Sequence, residues 1–166
     1  MYKRNSHWRD AALYMMLGAA SSALLWARKC LKIPSRFGYT HADLCALPLG
    51  SLGRVVADAL NTQGHTLLHG YENHDFEHVI FGYSMDVVGE VRLQAYLCGA
   101  GYMGKYGAAL LLVGIAVMPD YWRILYHDYH LGRKIKNKNN NLIIKDLVTK
   151  PFHEAQAIAG LLLVLF

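Results

Sequence analysis

Cysteine is scarce in this 166-residue sequence: there are three, Cys30, Cys45 and Cys98, an odd count with no C-x-x-C spacing. A chain of this length can build its own core, so the pattern reads as reduced, structural thiols and argues against disulfide stapling or a zinc ribbon. Charge is also thin. Only 17% of residues are charged and 54% are hydrophobic, which excludes an intrinsically disordered chain, since that needs low hydrophobicity and high charge. Strand signals are nearly missing: residues 142–148 alternate poorly, and no hairpin dipeptide separates two apolar runs. No repeat of solenoid length occurs, and low complexity is confined to 137–141.

Long hydrophobic runs fall short as well. Residues 11–27 hold 17 positions without a charge, between Arg9–Asp10 and Arg28–Lys29, whereas a spanning helix wants about 20 strongly apolar residues. Its Ala and Ser content and Gly18 weaken it further, so a buried or membrane-surface helix is expected rather than a signal peptide or a span. The stretch 99–118 contains five glycines and Lys105, leaving 13 uninterrupted residues from 106 to 118. That length predicts a core helix, whose glycines let a neighbouring backbone or a lipid chain come close.

What the sequence does have is an uneven charge. The total of +5 divides into +6 over residues 1–36, −6 over 37–90 and +5 over 91–166. One domain is expected at this length, with 1–36 a basic, apolar N-terminal helix and 37–166 the helical body. Helical patterns dominate. A first helix is predicted over about 6–32, and Ser51 caps a short one over 52–60 that exits through 61–64. A third runs from about His65 to Phe81 and stops at Gly82, and Asp86 caps a fourth reaching at least Leu97. Pro119 opens the helix carrying 120–135, and a last helix begins near Pro151. The fold class is all-α, a single-domain bundle.

The most informative segment is Asn73, His74, Asp75, Phe76, Glu77, His78, followed by Glu90. On a helix His74 and His78 are one turn apart and about 40° from each other around the axis. Asp75, three residues before His78, shares that edge. Glu90 comes after a tight turn over 82–85, and an antiparallel helix pair would bring it back opposite the histidines. Two His with Asp and Glu suit Zn²⁺ with an open or water-filled position, and would also take Fe²⁺, Mn²⁺ or Co²⁺. Chance pairs of His at this spacing are common, and it is Asp75 and Glu90 that lift the segment above them. The H-E-x-x-H hydrolase signature is not met, because Asp75 stands where the Glu should be.

These residues resemble the coenzyme Q (ubiquinone) biosynthesis protein four family. Its hallmark H-D-x-x-H, eleven residues, then E is matched without a break by His74, Asp75, His78 and Glu90. A second hallmark, L-P-x-G-T-L-G, stands here as Leu47, Pro48, Leu49, Gly50, Ser51, Leu52 and Gly53, with Ser in place of Thr, followed by Arg54. Leu131, Gly132 and Arg133 after a proline-initiated helix form a third, weaker match. The resemblance implies an all-α homodimer with an apolar pocket for polyprenyl lipid, and a divalent metal held by His74, Asp75, His78 and Glu90. It implies removal of the C1 carboxyl of a polyprenyl-hydroxybenzoate-type quinone precursor, coupled to hydroxylation. Peripheral attachment at the cytoplasmic face of a membrane (the matrix side of the mitochondrial inner membrane in a eukaryote) and a role in organising other quinone-biosynthesis proteins are implied too. A non-catalytic lipid-binding scaffold and a small metal-dependent hydrolase remain alternatives.

Two basic features have a structural and a functional reading. The turn from Gly50 to Arg54 could cradle an anionic substrate group, or simply cap a helix. Arg133, Lys134, Lys136 and Lys138, beside Tyr121, Trp122, Tyr126 and Tyr129, could meet anionic headgroups or complement a helix C-terminus. Nucleic acid is not expected as a partner, because no groove-reading motif accompanies the charge.

Overall fold

The computed structural model describes Ala11, Met15 and residues 37–67, 70–135 and 144–159. Ala11 and Met15 are helical and exposed. The rest of the expected first helix and of the 1–36 segment lies outside the described residues, as do Lys136, Lys138 and residues 160–166.

From residue 41 onward the chain forms seven described α-helices: α1 (His41–Cys45), α2 (Leu52–Thr62), α3 (Glu72–Phe81), α4 (Val87–Ala100), α5 (Lys105–Val117), α6 (Trp122–Ile135) and α7 (Phe152–Ile158). Short 3₁₀ turns at Pro119–Tyr121 and Ile144–Leu147 lead into α6 and towards α7. Among the described residues there is no strand, only an isolated bridge between Ser51 and Pro151. The architecture is all-α.

Side-chain caps set the helix starts. Thr40 and Asp43 form a reciprocal box at α1, the Ser51 hydroxyl accepts from the Arg54 N–H at α2, and Asp86 accepts from the Gly89 N–H at 2.7 Å to open α4. In α2, Leu52, Val56, Ala57 and Leu60 fall on one buried face. That face meets Leu44 of α1, Phe76 and Ile80 of α3, Val148, and Ala155 of α7 in one core. Fully burying a Val, Leu, Ile or Phe side chain is worth about 1.5–3 kcal/mol, and the alanines contribute less.

The second half is built around α4, which is apolar nearly all round and buried accordingly. Val87, Val91 and Ala95 pack with Met118 and Leu125, while Leu93, Tyr96 and Leu97 pack with Ile135.

Two expectations need correction. The third helix begins at Glu72, not near His65. Its upstream residues are drawn into another contact: the Leu67 N–H donates to His41 Nδ1 at 3.3 Å, and His41 Nε2 pairs with Asn61 Oδ1 at 3.0 Å. The helix in 105–117 is also not a core helix. Gly114 is its one fully buried residue, and Tyr106 and Leu112 are 76% and 69% exposed. A uniformly apolar helix has no periodicity to show which side is covered, and length alone misassigned it.

Candidate metal centre

The turn between α3 and α4 positions the site. Gly82 ends α3 at a left-handed φ of 71°, and the Tyr83 N–H returns to the His78 carbonyl at 2.9 Å. At Gly89 a Cβ would fall 1.9 Å from the Ser84 carbonyl oxygen, so a side chain there would push the turn off α4. The tight reversal brings Glu90, in the first turn of α4, against His78 in the last turn of α3.

Glu90 Oε2 lies 2.8 Å from His78 Nε2 and 3.1 Å from His74 Nε2, and Glu90 Oε1 lies 2.9 Å from His74 Nε2. The two Nε2 atoms are 3.3 Å apart, with the rings nearly perpendicular at 79°. One nitrogen from each histidine and one oxygen of Glu90 all lie within 4.8 Å of one another. His78 is 2% exposed and its Nδ1 is buried without a hydrogen-bond partner among the described residues, while Gln94 Nε2 approaches Glu90 Oε1 at 3.4 Å. On the far side of the His74 ring, Nδ1 is 3.6 Å from Glu77 Oε2.

These contacts set the electrostatics. Burial depresses the basicity of His74, but hydrogen bonds and charge from Glu77 and Glu90 outweigh it and push its pKa up to about 10. Burial disfavours the Glu90 carboxylate, yet the hydrogen bonds and charges of His74 and His78 hold it well below the usual carboxylate range.

The donor set fits a divalent cation. Two imidazole nitrogens and a carboxylate converge on one place, a borderline-to-hard combination that suits Zn²⁺ or Fe²⁺ and leaves coordination positions open. Three of the four expected ligands come together: His74, His78 and Glu90. Asp75 is half-buried and supplies no oxygen to the group, being about 100° round the helix from His74.

The other expected site residues lie elsewhere. Arg54 donates to the Cys45 carbonyl at 2.7 Å and to Asp58 at 2.9 Å. The Leu52 and Gly53 N–H groups donate to the Lys150 and Val148 carbonyls, so this turn is used as a cap and a tie to the segment before α7. Arg133 is exposed in the last turn of α6. Sequence reasoning missed a second polar cluster, in which Arg92 of α4 forks onto the buried Asp128 of α6. A signal was available, because Asp128 shares the buried stripe of Leu125, Gly132 and Ile135.

No family model matches this sequence, and no curated protein does. Among solved structures it is similar to a crystal structure from Nostoc punctiforme PCC 73102 described as a "Putative ubiquinone biosynthesis protein". The TM-score is 0.58 at 20% identity, over 93% of this chain and 82% of that one. At that identity the likeness establishes a shared fold.

Proposed function

We propose that this chain is a quinone-biosynthesis protein of the coenzyme Q protein four type, acting on polyprenyl-hydroxybenzoate-type precursors. The observation that carries the reading is the convergence of His74, His78 and Glu90 on one point. The unbroken hallmark spacing and the fold shared with the Nostoc protein support it. A divalent cation held there supplies a Lewis acid next to a carboxylated ring. The reaction proposed exchanges the ring C1 carboxyl for a hydroxyl: the bond from C1 to the carboxyl carbon breaks with release of CO2, and a C1–O bond forms. Dioxygen as co-substrate supplies the new oxygen, its second atom leaving as water with two electrons and two protons from an external reductant. Glu90 offsets part of the cation's charge, Gln94 steadies the carboxylate, and the burial of His78 keeps water from one side of the site.

Exposed apolar and aromatic side chains on α5 and α6 support a membrane or lipid partner. Tyr106, Leu112 and Ile115 of α5 and Trp122, Ile124 and Tyr126 of α6 are exposed, with basic Lys105 and Arg123 close by in sequence. Exposed apolar surface with aromatics and cations suits an interface with anionic headgroups. No single described helix is long and apolar enough to cross a membrane, and α5 with Pro119–Ile135 reaches that composition only as a pair bent by 101°. Peripheral seating is the form proposed, as the resemblance implies, on the cytoplasmic or matrix face and as a homodimer that meets other quinone-synthesis enzymes.

The test is mass spectrometry of metal and lipid from natively purified protein, paired with complementation of a quinone-deficient strain. One divalent cation per chain, a co-purifying polyprenyl lipid, and loss of both metal and complementation in His78→Ala are expected. Metal-free protein at micromolar concentration without chelator would overturn the reading. Complementation by folded ligand variants would leave a scaffold, and phosphoester turnover without lipid would indicate a hydrolase.

A further inference from the structure

Glu77 stands three residues after His74 on α3, and its Oε2 faces His74 Nδ1 at 3.6 Å, within ion-pair reach. The other nitrogen of that ring, Nε2, is the one directed at Glu90 and His78. A histidine that ligates through Nε2 must offer a lone pair there, so its proton resides on Nδ1. A carboxylate beside Nδ1 keeps the proton in place, fixes the ring plane and makes Nε2 a better donor. The two histidines differ in this respect: His78 Nδ1 is buried with no hydrogen-bond partner among the described residues, whereas His74 Nδ1 has the Glu77 carboxylate within ion-pair reach. Glu77 contributes no oxygen to the convergent group, and it lies across the ring from it.

We propose that Glu77 is a positioning residue for a bound cation, holding His74 in the form protonated at Nδ1 with Nε2 turned towards His78 and Glu90. This rests on the reading that His74, His78 and Glu90 hold a divalent cation. Glu77 and His74 are 24% and 27% exposed, so the contact is partly shielded from competing water. With Glu90 it places two carboxylates around the cation, one as ligand and one behind a ligand.

The experiment loads the full chain with Co²⁺. It compares wild type, Glu77→Ala and Glu77→Gln by chelator competition and by the hyperfine-shifted, exchangeable imidazole N–H proton resonances. Circular dichroism checks that each variant keeps its helix content. Glu77→Ala is expected to weaken Co²⁺ binding about 10–100-fold, the range for losing a ligand's outer partner, and to broaden one N–H resonance by opening His74 Nδ1 to solvent exchange. Glu77→Gln, whose amide oxygen can still accept that proton, is expected to recover most of the affinity and the resonance. A Glu77→Ala protein with wild-type affinity and unchanged resonances overturns the proposal. So does a Glu77→Gln protein as impaired as Glu77→Ala, since charge or direct ligation would then be what matters. Folded wild type that binds no Co²⁺ overturns the cation reading itself, whereas normal wild-type binding with an indifferent Glu77→Ala removes only the role of Glu77.

Discussion

Arg92 and Asp128 join α4 to α6 through a two-pronged contact, Nε to Oδ2 at 2.7 Å and Nη2 to Oδ1 at 3.1 Å. Asp128 is 1% exposed and Arg92 37%. The guanidinium sits 5.4 Å from the Tyr83 ring centroid. Burial together with the charge and hydrogen bonding of Asp128 holds the Tyr83 phenol above its usual range. Glu90 and Arg92 are two residues apart on α4, hence roughly 160° apart around its axis. The helix is thus gripped on one side by the His74 and His78 group and on the other by Asp128.

The exposure difference makes the two halves of this pair unequal. Arg92→Met strands a buried carboxylate and is expected to cost about 3–5 kcal/mol. Asp128→Asn leaves a guanidinium that already reaches water, and is expected to cost about 1.5–3 kcal/mol. Urea unfolding of both variants measures the difference; equal losses would show that burial of Asp128 does not set the cost.

Gly132 of α6 lies against the α4 backbone, where a Cβ would fall 2.0 Å from the Tyr96 carbonyl oxygen. In an exposed helix Gly→Ala gains about 1 kcal/mol from propensity. Here the sign is expected to reverse, because α4 and α6 must separate to admit the methyl group, at about 1–3 kcal/mol. A Gly132→Ala protein with a raised melting temperature would contradict this contact.

Local chemistry made much of this legible from sequence. Ser51, Asp86 and Gly82 mark helix ends through their own hydrogen bonds or backbone preference, and each does so in the structure. His74, His78 and Glu90 were legible because helical spacing and a short turn leave them little choice but to meet. Asp75 was drawn in because it stands three residues before His78, although that spacing leaves it about 60° beyond His78 and 100° from His74 around the helix. The start of α3 was hidden by a long-range contact, Leu67 with His41. The exposure of α5 was hidden by its uniform hydrophobicity, and the Arg92–Asp128 pair by a separation of 36 residues.

The metal-free site should be pH-sensitive in a definite direction. His74 is lifted from 6.5 to about 10, so its contribution to folding is complete below pH 6.5 and is lost as pH rises towards 10. Glu90 is held below its ordinary 4.5, so its contribution is present above that pH and lost as pH falls. Chelated protein should therefore lose thermal stability between pH 6.5 and about 10, and His74→Gln should flatten that slope. Cation affinity should climb over the same window, since the ion must displace the His74 proton. Calorimetry in buffers of different ionisation enthalpy counts the released proton, and finding none would contradict a protonated His74.

A charge placed at Leu112 tests whether α5 faces lipid or protein. Leu112 is 69% exposed on α5, so Leu112→Glu should change stability by no more than about 0.5 kcal/mol, as for other surface positions. On the proposed reading the new carboxylate must either be buried among lipids or lift α5 off an anionic surface, and both are unfavourable. Co-sedimentation with vesicles containing anionic lipid should therefore fall sharply for Leu112→Glu while its melting curve stays close to wild type. Were α5 instead covered by another part of the protein in solution, the variant would melt early or change its oligomeric state by light scattering, with vesicle binding unaltered. The two measurements together distinguish a lipid-facing helix from a protein-facing one, which exposure alone does not.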